Sequence, residues 1–167
     1  KEVVERVNEC FGIFGSSARG GGEAFKMSLR QSFVMSADVA HAIHPNYANK
    51  HEKNHGPLLN AGTVIKTNSN QRYATSATTG FVVRELSRMA SIVPPQEFVV
   101  RNDCPCGSTI GPAIAALTGI RTVDVGISCW SMHSIRETIG VSDVDNSIKL
   151  FTAFFKHFRK LDDSCDF

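Results

Sequence analysis

The chain has 167 residues, 42% of them apolar and 20% charged, which is the balance of a folded domain and excludes disorder along its whole length. Eighteen Lys and Arg against 16 Asp and Glu leave a net charge of +2, too little for charge alone to point to nucleic acid or an acidic membrane. No apolar run approaches the roughly 18 residues of a membrane span, and the first residues are charged, so neither a span nor a signal peptide is expected.

Taken in chain order, apolar residues at spacings of three and four predict an amphipathic helix over 3–14, closed by Gly15. Glycines and serines over 16–22 read as a flexible connection. The run 32–36 predicts a strand buried on both faces and places Asp38 just past its carboxyl end, where open α/β sheets collect chemistry. Residues 44–57 are polar and turn-rich and read as a long loop at the surface or active site. A second strand is expected over 63–67, then a helix over 77–92 that Pro94 and Pro95 stop. A third strand over 97–101 leads into a tight loop, 102–111, and an Ala-rich helix over 112–117 with Gly119 at its end. A fourth strand follows over 120–125. The last helix is expected from Asp143, as N-cap, to Lys160, with Ile148, Phe151, Phe154, Phe155 and Phe158 as its apolar stripe. Alternating strands and helices argue for an α/β layered architecture.

Five cysteines scattered at 10, 104, 106, 129 and 165 fit no disulfide framework and suit a reducing compartment, so a cytoplasmic location is expected. Cys104 and Cys106 flank Pro105 but lack the second pair that a structural zinc site needs. The turn from Cys106 to Pro112 reads instead as a glycine-bearing loop at a helix start. Four histidines, His41, His44, His51 and His55, fall close together. The spacing of His51 and His55 would suit a zinc-binding helix, but Asn54, Gly56 and Pro57 break helices, so these two read as loop residues. Asp38 with His41 and His44 is the stronger group, because zinc takes carboxylate oxygen and imidazole nitrogen together. His133 is a lone histidine beyond a strand, as readily a buried hydrogen-bonded residue as a ligand.

Several segments together resemble one family. Ser36 to Tyr47, Lys50 to His55, Val64-Ile65-Lys66 with Gln71 to Ala74, Val100 to Asp103, Cys106 to Pro112 and Met132 to Glu137 are similar, in order and spacing, to the aspartyl aminopeptidases of metallopeptidase family M18. The resemblance runs from about residue 32 to the end, and the preceding residues, a helix and connector, match weakly. It implies a partial α/β/α layered sheet of the zinc-aminopeptidase (phosphorylase/hydrolase-like) type. It also implies an enzyme that removes N-terminal Asp or Glu from peptides with two zinc ions, assembled as a homo-oligomeric dodecamer. Carried over residue by residue, it implies that Asp38 and His133 each ligate one zinc. Lys66 would meet the acidic side chain of the substrate, while His41 and Tyr73 would line that pocket. His44 lies in the same motif with its role open.

Family members are more than twice as long. Their first zinc-binding histidine, the bridging aspartate and the glutamate pair that includes the general base lie upstream of the matching region, and no counterpart occurs here. Residue 1 is Lys, and the chain opens inside a helical pattern. The chain is therefore expected to be the carboxyl-terminal half of a catalytic domain, inactive alone, with the remaining N-terminal part of the protein as a partner. Two other readings stay open: a noncatalytic truncated subunit or interaction module on the same fold, and a single-metal protein using Asp38, His41, His44 and His55.

Overall fold

The structure is a computed structural model that describes residues 1–11 and 21–165. The first helix, α1, spans Glu2–Phe11, and the predicted turn at Gly15 and most of the predicted connection lie outside the described residues. A second helix, α2 (Gly21–Gln31), occupies a stretch for which no helix was expected. Two glycines at its start lower the local helix propensity, and the burial of Phe25 outweighs them. Among the described residues, 21–31 therefore form a helix that was not expected, and residues 12–20 lie outside them.

Four strands form the main sheet: β1 (Phe33–Ala37), then β3 (Val64–Thr67), β4 (Gln96–Val99) and β5 (Arg121–Gly126), in the spatial order β1-β5-β3-β4. β1 runs parallel to β5 and β3 parallel to β4, while β3 and β5 are antiparallel. Helices α3 (Ala77–Met89) and α4 (Ile110–Thr118) connect these strands, and α5 (Val141–Ser164) closes the chain. Alternation along β5 sorts the layers. Val123 and Val125 join Ile65, Val82, Val83, Leu86, Leu150 and Leu161 in the core under α3 and α5. Thr122 and Asp124 therefore point to the other face, where α4 packs on β1 and β5. The result is the expected α/β layering, with helices on both faces of a mixed sheet.

Beyond the main sheet, the parallel pair β1–β5 continues. Asp38 donates its backbone N–H to Val125 (3.0 Å), Ala40 donates to Ile127 (2.8 Å) and Ala42 to Cys129 (3.0 Å). This carries the chain into a second sheet of three short strands in the order β2-β6-β7: β2 (Ala40–His41), β6 (Ser128–Trp130) and β7 (Thr138–Ile139). None of the three was predicted, because strands of two or three residues leave no period to read.

The last helix departs from expectation in two ways. Its N-cap is Gly140, and Asp143 sits inside the first turn, fully buried, accepting from the backbone N–H groups of Asn60 (2.7 Å) and Gly62 (2.8 Å). Asp143 thus anchors a distant loop rather than capping its own helix. The buried face runs through Asp143, Asn146, Ser147, Leu150, Ala153 and Leu161, with Phe151, Phe154 and Phe158 along its border. Ile148 and Phe155, expected in the stripe, are 60% and 83% exposed. Several small and polar residues occupy the true seam, and a pattern based on large apolar side chains rotates the helix away from it.

Candidate functional site

The site grows from the point where β1 and β5 leave the main sheet together. Asp38 is the first residue past β1, and Gly126 ends β5 beside it. A Cβ on Gly126 would come within 1.7 Å of the Asp38 carbonyl oxygen, so only glycine permits this approach of the two chains. The Asp38 side chain is 55% exposed, with Oδ1 accepting from the Val39 N–H at 2.7 Å. Its Oδ2 lies 3.8 Å from Nζ of Lys66.

Lys66 comes from the central strand β3 and is 1% exposed. Its ammonium donates to the carbonyl of Val39 (3.2 Å) and stands 5.4 Å from the centre of the Tyr73 ring. Burial pushes the Lys66 ammonium below its ordinary range, while the Asp38 and Asp124 carboxylates oppose that shift. Tyr73 is also buried. Its hydroxyl accepts from the Cys106 thiol at 3.4 Å, and burial, with that thiol second, drives the phenol above its usual range. Lys66, Tyr73 and the Cys106 loop thus form a partly desolvated cluster around one cation.

His41 lies on β2. Its ring leans on Phe98 (centroids 6.3 Å apart), and partial burial lowers its pKa, with His133 and Lys66 adding smaller effects in the same direction. The imidazole is therefore held neutral near pH 7. His133, on the turn after β6, is exposed and adopts a left-handed φ of 66°, with its backbone N–H bonded to Glu137. Indole Nε1 of Trp130 donates to the Ile43 carbonyl at 2.9 Å and ties this turn to the segment after His41.

His44 and His51 line a cavity of about 450 Å³ with His41, Tyr47, Phe98 and Trp130. Asp38 borders a different one of about 280 Å³, and Lys66 and Tyr73 line neither. His51 bridges to Val100 in extended conformation and His55 pairs with Glu52, so this histidine pair shares no helix face. The structure therefore brings Asp38 and Tyr73 against Lys66, and sets His41 near enough to Lys66, His133 and His51 to feel or exert their charges.

An exposed carboxylate and an exposed imidazole are the donor chemistry that zinc takes. They do not complete a shell. Among the described residues, no three His, Cys, Asp or Glu side chains converge on one point. No helix among them is long and apolar enough to cross a membrane. Sequence reasoning misses Asp124, a fully buried carboxylate bonded to Ala74, next to Tyr73, and to Thr109. A charged residue between Val123 and Val125 in a buried strand was a usable signal, because such a group must be bonded.

Residues 3–155 match the family model of the aminopeptidase I zinc metalloproteases, M18. The chain belongs to the M18 peptidase family. It is 49% identical over 163 residues to the aspartyl aminopeptidase of Dictyostelium discoideum, covering 96% of this chain and 33% of that one. The fold superposes on the cryo-EM structure of the Ape4 and Nbr1 complex with a TM-score of 0.88 at 45% identity, covering 98% of this chain and 29% of that chain. It is also similar to the mApe1 dodecamer of S. cerevisiae (TM-score 0.76, 33% identity, 94% of this chain and 36% of that one). The chain spans about a third of the length of the M18 relatives that it matches.

Proposed function

We propose that this chain is the carboxyl-terminal half of the catalytic domain of a cytoplasmic aminopeptidase that releases N-terminal Asp and Glu from peptides. Within it, residues 1–31 precede the part that carries the site, 32–167. Asp38 and His133 each hold one of two zinc ions, and the remaining N-terminal part of the protein supplies the other ligands and the general base. When bound, the zinc pair supplies an acidified water and positive charge for the oxygens of the tetrahedral intermediate. The protein assembles as a homo-oligomer, as the dodecameric relative does. By this reading the chain alone does not cleave peptides.

The observation that carries the reading is the buried Lys66 ammonium 3.8 Å from Asp38. A cation held in low dielectric beside a metal-type carboxylate favours a substrate with its own carboxylate one side chain away from the reacting amide. Its charge-assisted hydrogen bond has no counterpart for an apolar side chain. Tyr73 and His41 shape the pocket walls, and the neutral His41 adds no competing charge.

The test uses the full-length protein. Peptides beginning with Asp or Glu should be cleaved with kcat/KM about a hundredfold or more above those beginning with Leu, and Asp38→Ala and His133→Ala should each lower the bound zinc per subunit. Equal rates on Leu and Asp peptides would overturn the substrate assignment. Zinc content unchanged in both variants would overturn the ligand assignment.

A further inference from the structure

Asp124 is the buried charge that none of these roles uses. It is 0% exposed, in the middle of β5. Its Oδ2 accepts from the backbone N–H of Ala74 and its Oδ1 from the Thr109 hydroxyl, both at 2.6 Å, and its own N–H donates to Thr75 Oγ1 at 3.0 Å. One carboxylate therefore grips two separate loops. The first carries Tyr73, next to Ala74, and the second carries Cys106, three residues before Thr109. The loops are also joined to each other, by Ser108 Oγ donating to the Arg72 carbonyl (3.0 Å) and by Cys106 to Tyr73.

Strand register adds a second link. β3 and β5 pair Val64 with Gly126 and Ile65 with Val125, and Ile65, Val123 and Val125 all enter the core under α3 and α5. Side chains alternate along a strand, so Lys66, next to Ile65, and Asp124, between the two valines, share the opposite face of the sheet. The fit is tight. A Cβ on Gly111, in the first turn of α4, would stand 2.4 Å from Oδ2 of Asp124, so the helix start is pressed onto the carboxylate and tolerates no side chain there.

We propose that Asp124 is the positioning residue of the acidic-substrate pocket: it seats the Tyr73 and Cys106 loops over Lys66 and supplies that ammonium with a permanent counter-charge. Burying a cation needs a partner that stays. Asp38 is half exposed and is assigned to a metal ion, which shares its charge, whereas Asp124 is enclosed and bonded only to neutral donors. The inference rests on the assignment of Lys66 to the acidic side chain of the substrate.

The experiment compares wild type, Asp124→Asn and Thr109→Val in the full-length protein. The first readout is kcat and KM for matched peptides beginning with Asp and with Asn. The second is the rate at which Cys106 is alkylated by iodoacetamide, followed by peptide mass spectrometry, with buried Cys129 as internal reference. Asp124→Asn keeps the shape and removes the charge. It should lower kcat/KM for the Asp peptide about tenfold or more, chiefly through KM, with a change below about threefold for the Asn peptide. Cys106 labelling should quicken several-fold. Thr109→Val, which keeps the carboxylate and frees one loop, should quicken labelling with a smaller loss of discrimination; this variant carries the test if Asp124→Asn does not fold. An unchanged or increased Asp-to-Asn ratio, or Cys106 labelling at the wild-type rate, overturns the proposal. Wild-type protein that does not discriminate Asp from Asn overturns the pocket assignment, and this inference with it.

Discussion

Lys66 and Asp38 meet where the chain passes from the main sheet to the second one: the ammonium of β3 reaches the carboxylate at 3.8 Å and the next carbonyl, that of Val39, at 3.2 Å. A buried lysine thus holds both the side chain and the backbone of the link that joins β1 to β2. Lys66→Met keeps the length of the side chain and removes the charge. It also leaves the enclosed Asp124 carboxylate without its cation, and removing one partner of a buried charge pair costs about 3 kcal/mol or more, so the melting temperature should fall by several degrees while the variant still folds. Cleavage of Asp-peptides by the full-length variant should fall by about a hundredfold or more, with Asn-peptides much less affected. A loss shared equally by both substrates would assign Lys66 to the fold rather than to recognition.

Gly126 sets the position of Asp38 from behind. With a Cβ due 1.7 Å from the Asp38 carbonyl oxygen, Gly126→Ala must push the two strands apart or fail to fold. We expect a loss of about 3 kcal/mol or more in stability, and in whatever folded protein is recovered, less zinc per subunit than wild type. Chemical denaturation and metal analysis on the same preparation measure both.

Asp162 offers a pH test remote from the site. Its buried carboxylate pairs with Arg121 (2.5 Å) and with Arg159, and the Arg121 hydrogen bond is the chief cause that holds its pKa below the ordinary carboxylate value. A folded pKa below the unfolded one means that the stabilisation is complete above about pH 5 and is lost as pH falls through the folded value. Asp162→Asn should cost about 3 kcal/mol at neutral pH, because it leaves the Arg121 guanidinium without its anion. The difference between the variant and the parent protein in denaturant melts should shrink as pH drops below about 4. A constant difference down to pH 2 would show that the pair contributes packing and not charge.

The face of α5 is tested by a contrasting pair. Leu150 is fully buried in the main core, and Leu150→Ala should cost about 3 kcal/mol. Phe155, 83% exposed in this chain, should tolerate Gln with a change of about 0.5 kcal/mol or less. Equal losses in the two variants of this chain would contradict the orientation of the helix.

The sequence by itself determined the layered α/β class, the four main strands within a residue or two, and the motif that places the chain among the M18 peptidases, because these depend on local periodicity, on Gly and Pro punctuation and on unbroken runs of residues. Glycines hid α2, and the three short strands had no period to show. Only the folded chain shows which way α5 faces, that Asp143 anchors the loop at Asn60 and Gly62 rather than capping its own helix, and that Asp124 joins the loops of Ala74 and Thr109. Each of these depends on partners dozens of residues away. The energy of a buried polar group is set by what surrounds it in space, and no local pattern records that environment.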